Sequence, residues 1–568
     1  MDALTSLWRG NWWDKTRVWA AAHPKSMLAL AVVIALGPFL AKPFNMDDPL
    51  FVWTARQIHA HPWNPYGFNV NWYGRVGPMW GVMQNPPLAA YYLAAAAGVL
   101  GWSEVALHVA FLLSALAAIL GTYRLARHFC GQPLLAALAT LFTPVFLVSS
   151  TTVMCDVLML AFWVWAAVLW VEGIERDAFW PLAGAGLLIA LAALTKYFGA
   201  CLIPLLAVYG VMSKRRFGRW AGCLLIPLLV LSGYEWATRT LYQYDLLWKA
   251  ADYASRKSGF FTGARAAAGV IALGFTGGGL AAALFLAPWW LWRPRALLSL
   301  VGGVALLAFA FFSQGTLLAD YNWMRGGPRF SLEAQIIFWT ISGVSVLALT
   351  VADVWKHRDT RSWLLALWVF GTFLFTALFN WTINGRSILP MAPAVGILLA
   401  RRLQRGAGTN ENNPAVGRRR IMIALAASAL FALLVARADF LLAVAARQCA
   451  LQSSQRYGHG GRTLWFQGHW GFQYYLAELG GQALDMRHPA FRDGDILVMP
   501  LNNTNLDPPS VPRNGFRVDG PRFLADMNVF IGAGFYSSRD GPLPFVFGHV
   551  PPENVAVFNC NSGRPGKP

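Results

Sequence analysis

Residues 44–74 read FNMDDPLFVWTARQIHAHPWNPYGFNVNWYG, and the chain is organised around them. They follow the first long apolar run, 26–43, and open with two adjacent acids, Asp47 and Asp48. A carboxylate pair at the mouth of a membrane span is costly to keep dry, so it is a site hypothesis by default. Beyond it lie Arg56, His59, His61, Arg75 and several Trp and Tyr side chains, then NPPLAAYYLAAAAGVL from Asn85. That last segment is short for a bilayer and begins with a proline pair, which predicts an interfacial helix rather than a span.

The surrounding composition is that of a membrane protein. Of 568 residues, 56% are hydrophobic and only 13% charged, against about 25% charged in a soluble domain. Runs near 20 apolar residues mark transmembrane helices. Candidates lie at 26–43, 105–124, 133–150, 157–172, 180–194, 198–212, 219–236, 266–291, 296–313, 335–353, 363–380, 387–401 and 421–445, about thirteen in all by the hydropathy criterion. The fold class predicted is therefore a polytopic all-α membrane protein with juxtamembrane helices and a small C-terminal α/β soluble domain. The membrane domain is expected over 1–445, its first outer loop over 44–104, and the soluble domain over 446–568. In that tail RTLWFQG, DILVMP and VAVFNC read as short strands, and HWGFQYYLAELGG as a helix ending at glycine.

The net charge is +19, from 46 Lys and Arg against 27 Asp and Glu. On a soluble chain this would suggest nucleic acid. Here the bases sit in clusters between apolar runs, such as Lys214-Arg215-Arg216, Arg401-Arg402 and Arg418-Arg419-Arg420, which is how topology is encoded; a membrane, and no nucleic acid, is the expected partner. With the N-terminus cytoplasmic, the basic clusters fall inside and an odd number of spans places the tail outside. No small-residue cleavage site follows the N-terminal segment, so the first span is expected to be retained. The six Cys form no CxxC. Cys449 and Cys560 bracket the tail, and a disulfide between them is open if the tail is extracytoplasmic.

The candidate chemistry lies on the outer face. Asp47 and Asp48 read either as a helix N-cap or as a general base or metal ligand acting on an acceptor hydroxyl or amine. Asp156 opens the run VLMLAFWVWA after SSTTVMC and is a third candidate acid. A divalent cation, if one takes part, would sit on Asp47 and Asp156, because such ions favour carboxylate oxygens; no ligand spacing specifies one. Lys196, in LTKYFG, and Arg386, in NGRSILP, stand at corners of apolar runs. They read as snorkelling cations or as contacts to a lipid-linked phosphate, Arg as a bidentate fork and Lys as a point charge. Arg325 and Arg329, in WMRGGPRF, are weaker candidates for that role. Tyr73, Arg75 and Asn85 are candidate substrate contacts, and Trp63, Tyr66, Trp72 and Trp80 read as sugar-stacking rings or an interfacial belt. His59 and His61 are too few for a metal site. His469 and Trp470 face the membrane domain or fill the tail's core.

Taken in order, the pair Asp47-Asp48, the stretch NPPLAAYYL, Asp156, the corner TKYFG and the late RSILPMAPAVGILLARR resemble the GT-C glycosyltransferases of the protein O-mannosyltransferase and aminoarabinose-transferase type. The resemblance covers roughly residues 26–402. It implies a polyprenyl-phosphate sugar donor and transfer on the periplasmic side of a bacterial-type inner membrane. The acceptor would be a glycan, lipid or protein. It also implies Asp47 as the base or acceptor-orienting residue, with Lys196 and Arg386 on the donor phosphate. The chain departs from the pattern at Asn85, where the family often has Lys, at TKY rather than TKG, and at Ser387 in place of Tyr. A transporter or flippase is the rival reading. It would put ionisable or broken helices and paired repeats at mid-membrane, whereas the charges here collect at outer corners.

Overall fold

The computed structural model describes residues 22–257, 265–281, 298, 302, 329–409, 414–501, 513–518, 525–526, 534–538, 541–547 and 553–560. Arg325 and the expected span 296–313 lie outside them, apart from two isolated positions in the latter. The first helix, α1 (Pro24–Leu36), leads into the outer loop, which holds α2 (Asp48–Ala60), a hairpin of β1 (Asn69–Asn71) and β2 (Val76–Pro78), and α3 (Leu88–Leu100). Then follow α4 (Glu104–Phe129), α5 (Pro133–Leu141), α6 (Pro144–Ser150), α7 (Asp156–Arg176), α8 (Phe179–Thr195), α9 (Leu202–Lys214), α10 (Leu225–Tyr242), α11 (Leu246–Lys257) and α12 (Arg265–Gly279). The later helices are α13 (Arg329–His357), α14 (Thr360–Leu374), α15 (Ala392–Thr409) and α16 (Pro414–Tyr457).

Among the described residues seven helices are long and apolar enough to cross a membrane, or eight if the bent pair α5 and α6 is one span. The described residues alone do not give the expected count near thirteen, since 282–291 and nearly all of 296–313 lie outside them. Hydropathy registers every apolar run, but the backbone divides them. Pro144 and the Thr143 cap break 133–150 into two helices bent by 64°. Pro24–Phe39, Phe179–Thr195 and Ala268–Gly279 are shorter apolar helices of 10–17 residues. NPPLAAYYL forms the short α3, stopped by Gly101 at φ 89°.

α7 is the axis of the bundle: 83% of its apolar window is buried within the protein. A helix apolar on all sides belongs in such a position. Neighbouring helices approach closely where side chains are small, as is usual for helices packed without a hydrophobic driving force. A Cβ on Gly277 of α12 would lie 1.8 Å from the Trp339 carbonyl oxygen of α13.

α16 has 44 residues, about 66 Å at the helical rise. The boundary expected at 446 falls inside it, because the apolar span continues into a helix that packs on the tail. There β3 (Leu464–Phe466), α17 (Trp470–Glu478), β4 (Gln482–Ala483), β5 (Ile496–Pro500), β6 (Arg513–Val518) and β9 (Glu553–Asn559) build a five-stranded mixed sheet of order β4-β3-β5-β9-β6. β7 (Ala525–Asp526) and β8 (Val546–Phe547) pair separately. Alternation along the strands gives the sheet two apolar faces. Ile496, Val498, Val555 and Val557 pack with Cys449, whereas Leu497, Met499, Ala556 and Phe558 pack with Cys560. Both cysteines are free. The sheet stands between them, so they do not form the disulfide left open by the sequence.

Candidate active site

The turn after α1 sets the first acid. Met46 is buried and held at φ 49°, a left-handed conformation uncommon for a side-chain-bearing residue. The two carboxylates that follow part company. Asp48 is fully buried; its Oδ2 accepts from the Asn45 N–H at 3.0 Å and its Oδ1 from the Val153 N–H at 2.9 Å. It therefore staples the first outer loop to the corner before Asp156. Burial pushes its carboxyl up to about 7, against the pull of Lys42 and the two backbone donors. Asp47 occupies the N-cap position of α2, yet makes no side-chain cap. Its Oδ2 instead accepts from Arg386 Nη1 at 2.7 Å.

Asp156, the first residue of α7, is likewise turned away from capping. Its Oδ1 accepts from Lys196 Nζ at 2.7 Å and its Oδ2 from Arg386 Nε at 2.7 Å. Lys196 ends α8 in extended backbone. Arg386 sits in a helical turn, Gly385–Ile388, whose N-cap Asn384 accepts from both the N–H and the Oγ of Ser387 at 2.8 Å. Side-chain exposure grades the four: Asp156 1%, Arg386 10%, Lys196 18% and Asp47 39%. Two acids and two bases thus meet at one end of the bundle, and Asp47 is the acid open to solvent.

Three of the four border a cavity of about 620 Å³. Asp47, Lys196 and Arg386 line it, as do Tyr73 and Asn85 among the candidate substrate contacts. Its apolar lining comes from Phe198 and Cys201 in the turn after α8, Leu247 and Ala250 of α11, and Phe375 just past α14. Aromatic and polar lining comes from Trp72 of the outer loop and from His469, Trp470, Tyr536 and Ser537 of the tail. His469 is buried beside Trp72, and burial pushes its imidazole down to about 4, so it is neutral at pH 7.

Other expected residues lie elsewhere. Asp48 and Asp156 are not among the lining residues; both act from behind the surface. Arg75 and Trp63 are exposed and do not line the cavity. Tyr66 is buried and donates to the Asn85 carbonyl at 2.7 Å. Trp80 carries Lys249 Nζ over its ring at 4.9 Å. The side chain of Arg329 and all of Arg325 lie outside the described residues.

The residues present do not suit a divalent cation. The Arg386 guanidinium lies between Asp47 and Asp156 and takes an oxygen of each, while Lys196 takes the other oxygen of Asp156. Among the described residues no three His, Cys, Asp or Glu side chains are grouped to hold one.

The tail reaches this site by specific bonds. Gly385 N–H donates to the Phe535 carbonyl at 2.7 Å, next to Arg386, and Ser538 N–H to the Ile383 carbonyl at 2.8 Å. The hairpin bearing Trp72 and Tyr73 turns at Gly74, φ 68°, whose carbonyl accepts from Met486 N–H at 2.9 Å. Sequence reasoning missed Tyr536, and it missed the buried ion pair of Lys42 and Asp439 that lies behind it. A signal existed: Asp439 interrupts the apolar run ALFALLVARADFLLAVAA, and an ionisable residue inside a span is a site hypothesis.

Known proteins agree with this architecture. Residues 84–234 match the model for the dolichyl-phosphate-mannose-protein mannosyltransferase family, a stretch that includes Asn85, Asp156 and Lys196. The chain resembles the GT-C glycosyltransferases. The crystal structure of ArnT from Cupriavidus metallidurans bound to undecaprenyl phosphate is similar at 14% identity, over 85% of this chain and 93% of that one, with a TM-score of 0.50. The archaeal oligosaccharyltransferase AglB from Archaeoglobus fulgidus, in complex with an inhibitory peptide and a dolichol-phosphate, matches at 12% identity over 85% of this chain and 70% of that one, with a TM-score of 0.48. At these identities the likeness is one of GT-C fold. No curated protein sequence matches the chain.

Proposed function

We propose that the chain is a glycosyltransferase that moves a sugar from a polyprenyl-phosphate donor to an acceptor hydroxyl or amine of a glycan, lipid or protein, on the periplasmic side of a bacterial-type inner membrane. The observation that carries this reading is the one cavity where an accessible carboxylate, Asp47, stands 2.7 Å from Arg386, with Lys196 on the same rim. An apolar wall from the bundle suits the isoprenoid chain. The ArnT and AglB structures hold a lipid phosphate, and the family model names a dolichyl-phosphate sugar.

The reaction is a single inverting displacement. The acceptor oxygen or nitrogen forms the new bond to the anomeric carbon as the bond from that carbon to the phosphate oxygen breaks. The acceptor's proton passes to Asp47, whose placement in the open cavity meets the geometric requirement of a general base. The leaving polyprenyl phosphate gains negative charge, which Lys196 and Arg386 stabilise. Lys offers three donors and Arg five; one of the first and two of the second bind the carboxylates, Arg386 also reaches the Cys155 thiol, and the donors left over serve the phosphate oxygens. Asp156 aims both cations, and Asp48 fixes the loop that presents Asp47; neither touches substrate in this scheme. Tyr73 and Asn85 line the sugar's space. With Asn85 in place of a lysine, the donor phosphate rests, among the described residues, on Lys196 and Arg386.

The test is mass spectrometry of envelope glycans and polyprenyl-phosphate sugars in cells with and without the protein. One glycan, lipid or protein modification disappears without it, and its lipid-linked donor accumulates. Unchanged profiles of both would contradict the proposal.

A further inference from the structure

Behind the water-facing wall lies a polar chain that the displacement does not use. Lys42, from the segment after α1, pairs with Asp439 of α16, and both side chains are almost fully buried. The other oxygen of Asp439 accepts from the Tyr536 hydroxyl at 2.9 Å, and Tyr536 lines the cavity. Three distant parts of the chain therefore meet through one carboxylate. A buried ion pair is a poor way to add stability, since a well-packed apolar pair of similar volume is often as good or better. What apolar side chains cannot supply is an acceptor for the Tyr536 hydroxyl. The same tail segment is seated on the arginine turn by Gly385 and Ile383, so the position of Tyr536 is tied to that of Arg386.

We propose that Tyr536 is a positioning residue of the site, that it sets the wall against which the acceptor lies, and that the Lys42–Asp439 pair exists to hold it. This inference rests on the transferase reading above. The cavity's apolar lining is Phe198, Cys201, Leu247, Ala250 and Phe375, so the lipid-linked donor lies against those residues. The acceptor lies against Tyr536, Trp470 and Trp72. These three side chains carry no charge at neutral pH, which fits an acceptor of uncharged sugar rings.

Two full-length variants test it. Tyr536→Phe keeps the ring and the ion pair but loses the hydroxyl bond. The double variant Lys42→Met with Asp439→Leu removes both charges together and leaves no unpaired ion. Each is compared with wild type for thermal midpoint, for binding of undecaprenyl phosphate by the purified protein, and for the glycan difference produced in cells. The expected result is an intact fold and lipid-phosphate binding within about twofold, with the glycan difference reduced about tenfold, the loss typical of one hydrogen bond to a charged group. Wild-type glycan levels in a folded Tyr536→Phe protein would overturn the proposal; should the double variant fail to fold, that protein decides alone. Asp47→Asn is run in parallel. A normal glycan difference there would defeat the reading of the site itself, whereas loss in Asp47→Asn with none in Tyr536→Phe defeats only this inference.

Discussion

α7 carries an ionic cluster at each end, and the two clusters are built from the same materials. At its first residue, Asp156 binds Lys196 and Arg386, and Arg386 binds Asp47. Near its last turn, Glu172 takes Arg124 in a bidentate pair at 2.7 and 2.9 Å, and Glu175 takes Arg361 at 2.8 Å, with His128 between the two acids. Each draws charges from helices far apart in the chain. The second cluster also has a buried acid, Glu172, but its arginines Arg124 and Arg361 are nearly half exposed, and none of its members lines the cavity. The first is pressed between a buried carboxylate and a hollow. Pairing alone does not distinguish a site from a brace. A place on the rim of an enclosed cavity does.

Substitutions at the two ends sharpen that contrast. Arg386→Lys keeps the charge but cannot bridge Asp47 and Asp156 through two nitrogens, and transfer is expected to fall about a hundredfold. Mass spectrometry of the modified glycan measures it. Near-normal transfer would show that the bridge is dispensable. Asp48→Asn acts one step back. The carboxyl is raised from 3.8 to about 7 on folding, so the folded state holds its proton over a range where the unfolded state has lost it. The stability it contributes is present below about pH 4 and is lost as pH rises toward about 7. The wild-type thermal midpoint should therefore fall across that window on this account, and Asp48→Asn should flatten the fall. Parallel midpoint–pH curves would remove Asp48 as the source.

At the other end, Glu172→Gln breaks a pair whose acid is buried and whose arginine is half exposed; it is expected to cost about 1–3 kcal/mol of stability and to leave transfer by the folded protein within about twofold. A large loss of transfer would make the two clusters equivalent and undo the comparison. The smallest effect is reserved for chelators. With Arg386 lying where a cation would bind, excess EDTA should leave transfer unchanged in purified membranes, and restoration of lost activity by a divalent ion would contradict this.

Much of this arrangement was legible in the chain. The acids after the first apolar run, the TKY corner and the NGRSILP stretch stood out because charge beside apolar sequence is rare. The helix in HWGFQYYLAELGG and the strands around LWF, ILVMP and VAVFN followed from spacing and turn residues. Other features were not legible, for physical reasons. Asp47 and Asp48 are neighbours in sequence, and only the left-handed turn at Met46 decides which one faces the cavity and which is buried on Val153. Hydropathy registers the run 133–150 as one apolar stretch and does not show the 64° bend between α5 and α6. The end of α16 could not be placed at 446, because helix and tail pack as one. Nothing around Lys42 in sequence marks it as buried, because its partner Asp439 lies 397 residues away.

The central claim is that Asp47 takes the acceptor's proton in a cavity whose cations hold a lipid phosphate. Its most direct test is Asp47→Asn in the full-length protein, with glycan transfer and undecaprenyl phosphate binding measured on the same preparation. The account predicts that transfer falls by about a hundredfold or more, the usual contribution of a general base, while lipid-phosphate binding is retained. Transfer close to the wild-type level by a variant that still binds the lipid would contradict it.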